Sequence, residues 1–123
     1  MKEKCKAQAM TLHDLVSQSW EIAEAKGWHR LSATFVERLC LIHSEVSEAL
    51  EDYRSGRDIT EVYYENDRPG QKDKPAGIPI ELADIMIRVG DLCAVYQIDI
   101  EDAIKLKHAY NRTRPVLHGG KRL

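Results

Sequence analysis

Apolar side chains recur at intervals of three and four residues in four stretches of this chain, and the rhythm fails in one place between them. Leu12, Leu15, Val16, Ile22 and Ala23 predict a first helix from about Leu12 to Lys26, with Thr11 as N-cap, Asp14 three residues on, and Gly27 as its end. A second helix is expected from a cap at Ser32 to about Ser55, stopped by Gly56. At about 100° per residue, Phe35, Leu39, Ile42, Val46, Ala49, Leu50 and Tyr53 fall on one stripe of it, the expected core face. A third helix starts near Pro79, a residue favoured in a first turn, and runs to about Gln97. Asp99 caps a fourth from Ile100 to about Thr113, with Glu101 and Asp102 at its positive end and Arg112 near its negative end. Pro115 ends it.

Between Asp58 and Gly77 the pattern collapses. Residues 65–77 hold two prolines, two glycines and almost no apolar side chain, which predicts a flexible loop, with a short helical turn over Ile59 to Tyr64 before it. Neither half of the chain can bury its apolar face alone. One domain over residues 1–123, all-α and of four-helix-type bundle form, is therefore the expected architecture.

Composition changes this picture little. Apolar residues make up 43% and charged residues 31%, an ordinary globular balance, and a net charge of −2 provides no general attraction to nucleic acid or membrane. No apolar run has the length of a membrane span, and the lysine-bearing start of the chain does not read as a secretory leader. Cys5, Cys40 and Cys93 are odd in number and lack paired spacing. Cys40 and Cys93 sit in apolar helical stretches, so core thiols in a reducing, cytoplasmic protein are expected.

The carboxylates carry the chemistry. Glu45, Glu48 and Asp52 share a stripe beside the apolar face of the second helix. On the third helix, apolar and small residues leave a narrow polar wedge of Glu81, Asp84, Arg88 and Asp91, so burial on most sides is expected. Buried carboxylates are costly unless paired or metal-bound. Glu45 and Glu48 are one turn apart, Glu81 and Asp84 repeat the spacing, and two antiparallel helices would aim all four into one volume. Hard divalent cations relieve such repulsion, and oxygen-only ligands suit magnesium. A structural cluster neutralised by Arg88 is the competing reading. Without a Glu-x-x-His pair a di-iron bundle is disfavoured, and the scattered His13, His29, His43, His108 and His118 disfavour zinc.

On the fourth helix the stripe of Ile100, Ala103 and Ile104 continues as Lys107, Asn111 and Arg114, cationic and polar groups suited to an anionic occupant. Attraction of cations to a helix C-terminus explains them equally well. Lys121 and Arg122 are weaker candidates of the same kind. Trp28 and His29, between the first two helices, are placed to stack on or bond to a base, or to cap a helix end.

These residues resemble the MazG-like branch of the all-α nucleoside triphosphate pyrophosphohydrolases, marked by ExxE on one helix and ExxD on the next. The marks here read Glu45-Val-Ser-Glu48 and Glu81-Leu-Ala-Asp84, within LIHSEVSEALEDYRSG and GIPIELADIMIRVGD, and the likeness extends from about Ile22 through YNRTRPVLHGGKRL. The spacer between Glu48 and Glu81 is longer than in most members; this departure bears on the rim of the site, and so on substrate choice, more than on chemistry. The resemblance implies magnesium-dependent hydrolysis, with manganese as a substitute, of a (deoxy)nucleoside triphosphate to monophosphate and pyrophosphate. It makes Glu45, Glu48, Glu81 and Asp84 metal ligands, with Glu45 or Glu48 also orienting or deprotonating the attacking water. Lys107, Asn111 and Arg114 would hold phosphate oxygens, and Trp28 and His29 would meet the base. It further implies a homodimer or homotetramer. A dUTP- or phosphoribosyl-ATP-hydrolysing relative fits the same residues. The contrasting expectation is a non-catalytic helical module that binds nucleotide or protein.

Overall fold

A computed structural model describes residues 9–66 and 69–117. Helix α1 spans Leu12–Ala25, a 3-10 turn Trp28–Leu31, α2 Phe35–Arg54, β1 Tyr63–Glu65, β2 Lys74–Ala76, α3 Ile78–Val95 and α4 Ile100–Thr113. The chain is mostly helical, and no described helix is long and apolar enough to cross a membrane.

Local chemistry sets the helix starts. Thr11 Oγ1 accepts from the Asp14 N–H at 3.0 Å while Asp14 Oδ2 accepts from the Thr11 N–H at 3.1 Å, so two orphan donors of α1 are satisfied reciprocally. The same box starts α2, with Thr34 and Glu37 as its partners at 3.1 and 3.2 Å. The expected cap at Ser32 is therefore corrected by two residues. Ser32 has Phe35 three positions on, which cannot return the bond, and its φ of 52° is left-handed. Asp99 Oδ1 accepts from the Asp102 N–H at 3.0 Å and opens α4 as expected.

Two short strands replace the helical turn and part of the loop expected between α2 and α3. Tyr63, Tyr64 and Glu65 pair antiparallel with Ala76, Pro75 and Lys74. Aromatic side chains favour extended backbone, and Tyr63 is fixed twice: its hydroxyl donates to Asp52 Oδ1 at 3.1 Å, and the Arg57 guanidinium lies 3.6 Å from its ring centre. Gly77 then turns into α3 with φ of 120°, against the Glu61 carbonyl, where a Cβ would collide.

Helix α3 is central, packed along both α1 and α2, whereas α4 rests lightly along α1. The α1–α3 seam is close: a Cβ on Gly90 would lie 3.1 Å from Ser19 Oγ and 3.3 Å from the Leu15 carbonyl oxygen. Ala23, Leu92 and Cys93 are buried beside it, with Ala76 and Ile78 buried at the start of α3. Of the other cysteines, Cys40 is exposed rather than in the core, and Cys5 lies outside the described residues.

The expected core face of α2 is also corrected. Val46, Leu50 and Tyr53 are 52%, 57% and 60% exposed, and Phe35 and Leu39 are exposed as well. Of that face only Ile42 and Ala49 are half-covered, and they share the covered side with Arg38, Glu45 and Asp52. Leu82 and Met86 of α3 are likewise exposed. The chain thus turns a stripe with three charged residues inward and leaves Val46, Leu50 and Tyr53 exposed.

Candidate metal centre

The inward stripe of α2 and the polar wedge of α3 meet at Glu45. Its side chain is 8% exposed, and Oε1 accepts from Arg88 Nε at 2.8 Å. Oε2 is buried without a hydrogen-bond partner, as is Oε2 of Glu81. Glu45, Glu81 and Asp84 each offer an oxygen, and these three lie within 4.8 Å of one another. Buried, unpartnered carboxylate oxygens are rare because desolvation is costly. Here two of them sit in one cluster.

The electrostatics reflect that crowding. Burial, followed by hydrogen-bonding contact with Glu45 and Glu48 and by their charges, pushes the Glu81 carboxyl up to about 8. Burial and the charge of Glu45 raise Asp84 against the counter-pull of Arg88 and Lys74. Burial also works upward on Glu45, but the bond from Arg88, with the nearness of the Glu81 and Glu48 carboxyls, outweighs it and leaves this carboxyl below its ordinary value. The cluster thus holds one carboxylate kept charged by a guanidinium and a neighbour kept protonated at neutral pH. Glu48, one turn along α2, is exposed and stands beside the triad, close enough to affect both Glu45 and Glu81.

A cavity of about 700 Å³ opens beside the cluster between α1, α2 and α3. Glu45, Asp84 and Arg88 lie in its wall, and Leu15, Leu41 and Ile87 give it an apolar side. Trp28 and His29 line it too, as the sequence placed them near the site. His29 is held at both ring nitrogens: Nδ1 is 2.7 Å from Glu24 Oε2 and Nε2 is 2.8 Å from Asp91 Oδ1. Arg38 Nη1 donates to the other Asp91 oxygen at 3.4 Å. Trp20 lies beside the imidazole, with ring centres 5.7 Å apart.

Lys107, Asn111 and Arg114 are not brought to the carboxylates. All three are exposed, none lines the cavity, and Lys107 Nζ sits 5.0 Å from the Tyr110 ring centre. The stripe of Ile100, Ala103 and Ile104 predicts them inward, but α4 rests lightly along α1, and only the two isoleucines on it are half-covered. The tail cations Lys121 and Arg122, and His118, lie outside the described residues.

Sequence reasoning missed the Glu24–His29–Asp91–Arg38 chain of contacts. Its only advance signal was Asp91, a carboxylate on a largely apolar helix that needs a cationic partner. Neutralisation of one carboxylate by Arg88, the competing reading, is present, with Glu45 of α2 as the partner. Comparison with family models, curated proteins and solved structures found no match to this chain, so the reading of the site rests on its own geometry.

Proposed function

We propose that this chain is a divalent-cation-dependent nucleoside triphosphate pyrophosphohydrolase of the MazG-like, four-helix-bundle kind, cleaving a (deoxy)nucleoside triphosphate to the monophosphate and pyrophosphate. The observation that carries the reading is the convergence of Glu45, Glu81 and Asp84 within 4.8 Å, with two buried oxygens lacking any partner. An all-oxygen donor set of this charge fits a hard cation, magnesium or manganese. The three carboxylates would hold it, and Glu48 stands close enough to join them. A bound ion there supplies Lewis-acid polarisation of a phosphate and acidifies an attacking water.

The chain's own residues account for the remainder. Glu48, exposed and beside the triad, is suited to orient the water and take its proton; Glu45, tied to Arg88, is less free to do so. Trp28, Leu41 and Ile87 give a base an apolar wall, and Arg38 and Arg88 supply positive charge on the same cavity. Lys107, Asn111 and Arg114 would serve phosphate from a second protomer. Assembly as a homodimer or homotetramer is supported by the exposed Val46, Leu50 and Tyr53 stripe, which one protomer leaves uncovered.

A non-catalytic nucleotide-binding or protein-interaction module is the second reading, favoured by the Arg88–Glu45 pair, which neutralises one carboxylate without any metal. Incubating the purified protein with a panel of NTPs and dNTPs plus magnesium tests both. Pyrophosphate release lost in Glu45→Gln and Asp84→Asn supports the enzyme; no release from any substrate by a folded oligomer supports the module.

A further inference from the structure

Three cations line the cavity, and two of them are bound to partners outside the acidic cluster. Both ring nitrogens of His29 are engaged by Glu24 and Asp91. Arg38 donates to Asp91 and to the Ala33 carbonyl. Arg88 differs: among the described residues its one hydrogen bond, from Nε, goes to Glu45, while its side chain is 39% exposed and borders the cavity. Its two terminal nitrogens therefore have donors to spare, on a residue that lines the cavity.

The far oxygen of the same Glu45 carboxylate is buried, unpartnered and grouped with Glu81 and Asp84. A guanidinium and a divalent cation would therefore draw on one carboxylate from its two sides. Two cations at bonding distance from one carboxylate repel each other, and burial of Glu45 limits the screening between them. Binding on the Oε2 side must weaken the hold of Arg88 on the Oε1 side.

We infer that Arg88 is an exchangeable counter-ion: it neutralises Glu45 in the metal-free protein, and divalent-cation binding releases it to an anionic phosphate group in the adjoining cavity. This rests on the metal-and-phosphate reading given above, and adds to it a residue that links the two ligands. Glu45 is never left without a positive neighbour, and the phosphate gains a forked donor when the metal arrives. Metal and phosphate binding are then coupled through one side chain, each strengthening the other.

Calorimetric titration tests this with Mn2+ alone and then with pyrophosphate in saturating Mn2+. Removing the competing charge in Arg88→Gln should tighten Mn2+ binding about tenfold while weakening pyrophosphate binding tenfold or more. Arg88→Lys, which keeps the charge, should bind Mn2+ within about twofold of the wild type. In the wild-type protein the Arg88 Nε–H resonance, followed by NMR with Mg2+, should shift and lose exchange protection as the site fills. Equal or weaker Mn2+ affinity in Arg88→Gln, or an Nε–H signal unmoved at saturating Mg2+, overturns the inference and leaves the metal reading standing. Failure of wild type and variants alike to bind Mn2+ overturns both. The NMR arm needs no variant, so a poorly folded Arg88→Gln protein does not blunt the test.

Discussion

His29 Nε2 and Asp91 Oδ1 lie 2.8 Å apart, a contact that fastens the 3-10 turn after α1 to the middle of α3. Glu24 grips the other ring nitrogen, and its hydrogen bond, then that of Asp91, raises the imidazole above its ordinary value despite burial. A histidine between two carboxylates is held as imidazolium, donating from both nitrogens.

This contact makes stability depend on pH in a defined direction. Because the folded-state pKa is raised, the contribution of His29 is complete below the unfolded value near 6.5 and fades as pH rises through the higher folded one. Thermal melts of wild type and His29→Gln should differ most near pH 6, by about 2 kcal/mol as expected for charged hydrogen bonds. The gap should narrow at alkaline pH; a gap that widens with pH would contradict the charged state assigned to His29.

Glu81 gives a second pH effect with a different window. Its carboxyl, pushed up to about 8, binds a proton in the folded protein that the unfolded chain releases near 4.5. The contribution of Glu81 is thus lost progressively as pH climbs from about 4.5 to 8. Glu81→Gln should flatten this part of the stability profile and raise the melting temperature of the metal-free protein at pH 8.

The same proton should leave when metal binds. At pH 7 the titration with Mg2+ is expected to release up to about one proton per site, since ligating carboxylates must be ionised. Calorimetry in two buffers of different ionisation enthalpy measures this directly. Release should fall toward zero above pH 9 and should be small in Glu81→Gln.

Gly77 is a structural hinge point for the ExxD helix. Its φ of 120° and its contact with the Glu61 carbonyl exclude a side chain, so Gly77→Ala should cost roughly 1–3 kcal/mol in denaturant unfolding. The residue lies four positions before Glu81, so metal affinity should drop with stability. Gly70→Ala, where nothing lies within 4 Å, should leave metal binding unchanged although its φ of 81° still carries some strain.

The outward stripe of α2 predicts association. Leu50→Glu, at a position 57% exposed in the protomer, should leave the helical circular dichroism intact and reduce the mass seen by light scattering. An unchanged mass would count against association through this stripe.

Helix limits were legible because their signals are local. Thr11 with Asp14, and Asp99 with the acids after it, bond within one turn, and sequence spacing alone dictates such contacts. The ExxE and ExxD spacings likewise brought Glu45, Glu81 and Asp84 together once α2 and α3 packed. What sequence could not supply was which neighbour covers which face. Val46, Leu50 and Tyr53 form an apolar stripe whether their partner is α3 or lies outside the protomer, and periodicity is identical in the two cases. The α4 stripe failed for the same reason: Lys107 and Asn111 follow Ile104 at the right angle, but both are exposed among the described residues. The strands escaped notice because three-residue pairings leave too short a pattern to read, and Tyr63 gains its place from Asp52 and Arg57 rather than from neighbours in sequence.

The ladder from Tyr63–Ala76 to Glu65–Lys74 closes the α2–α3 connection before its tip. The rungs and the Tyr63–Asp52 bond fix where α3 begins, and so where Glu81 and Asp84 stand. A peptide tag spliced at Gly70, outside the ladder and with open space around it, should thus be displayed without detuning the acidic cluster. Lineages sharing this hairpin would be free to diversify its tip while the helices beneath keep their register.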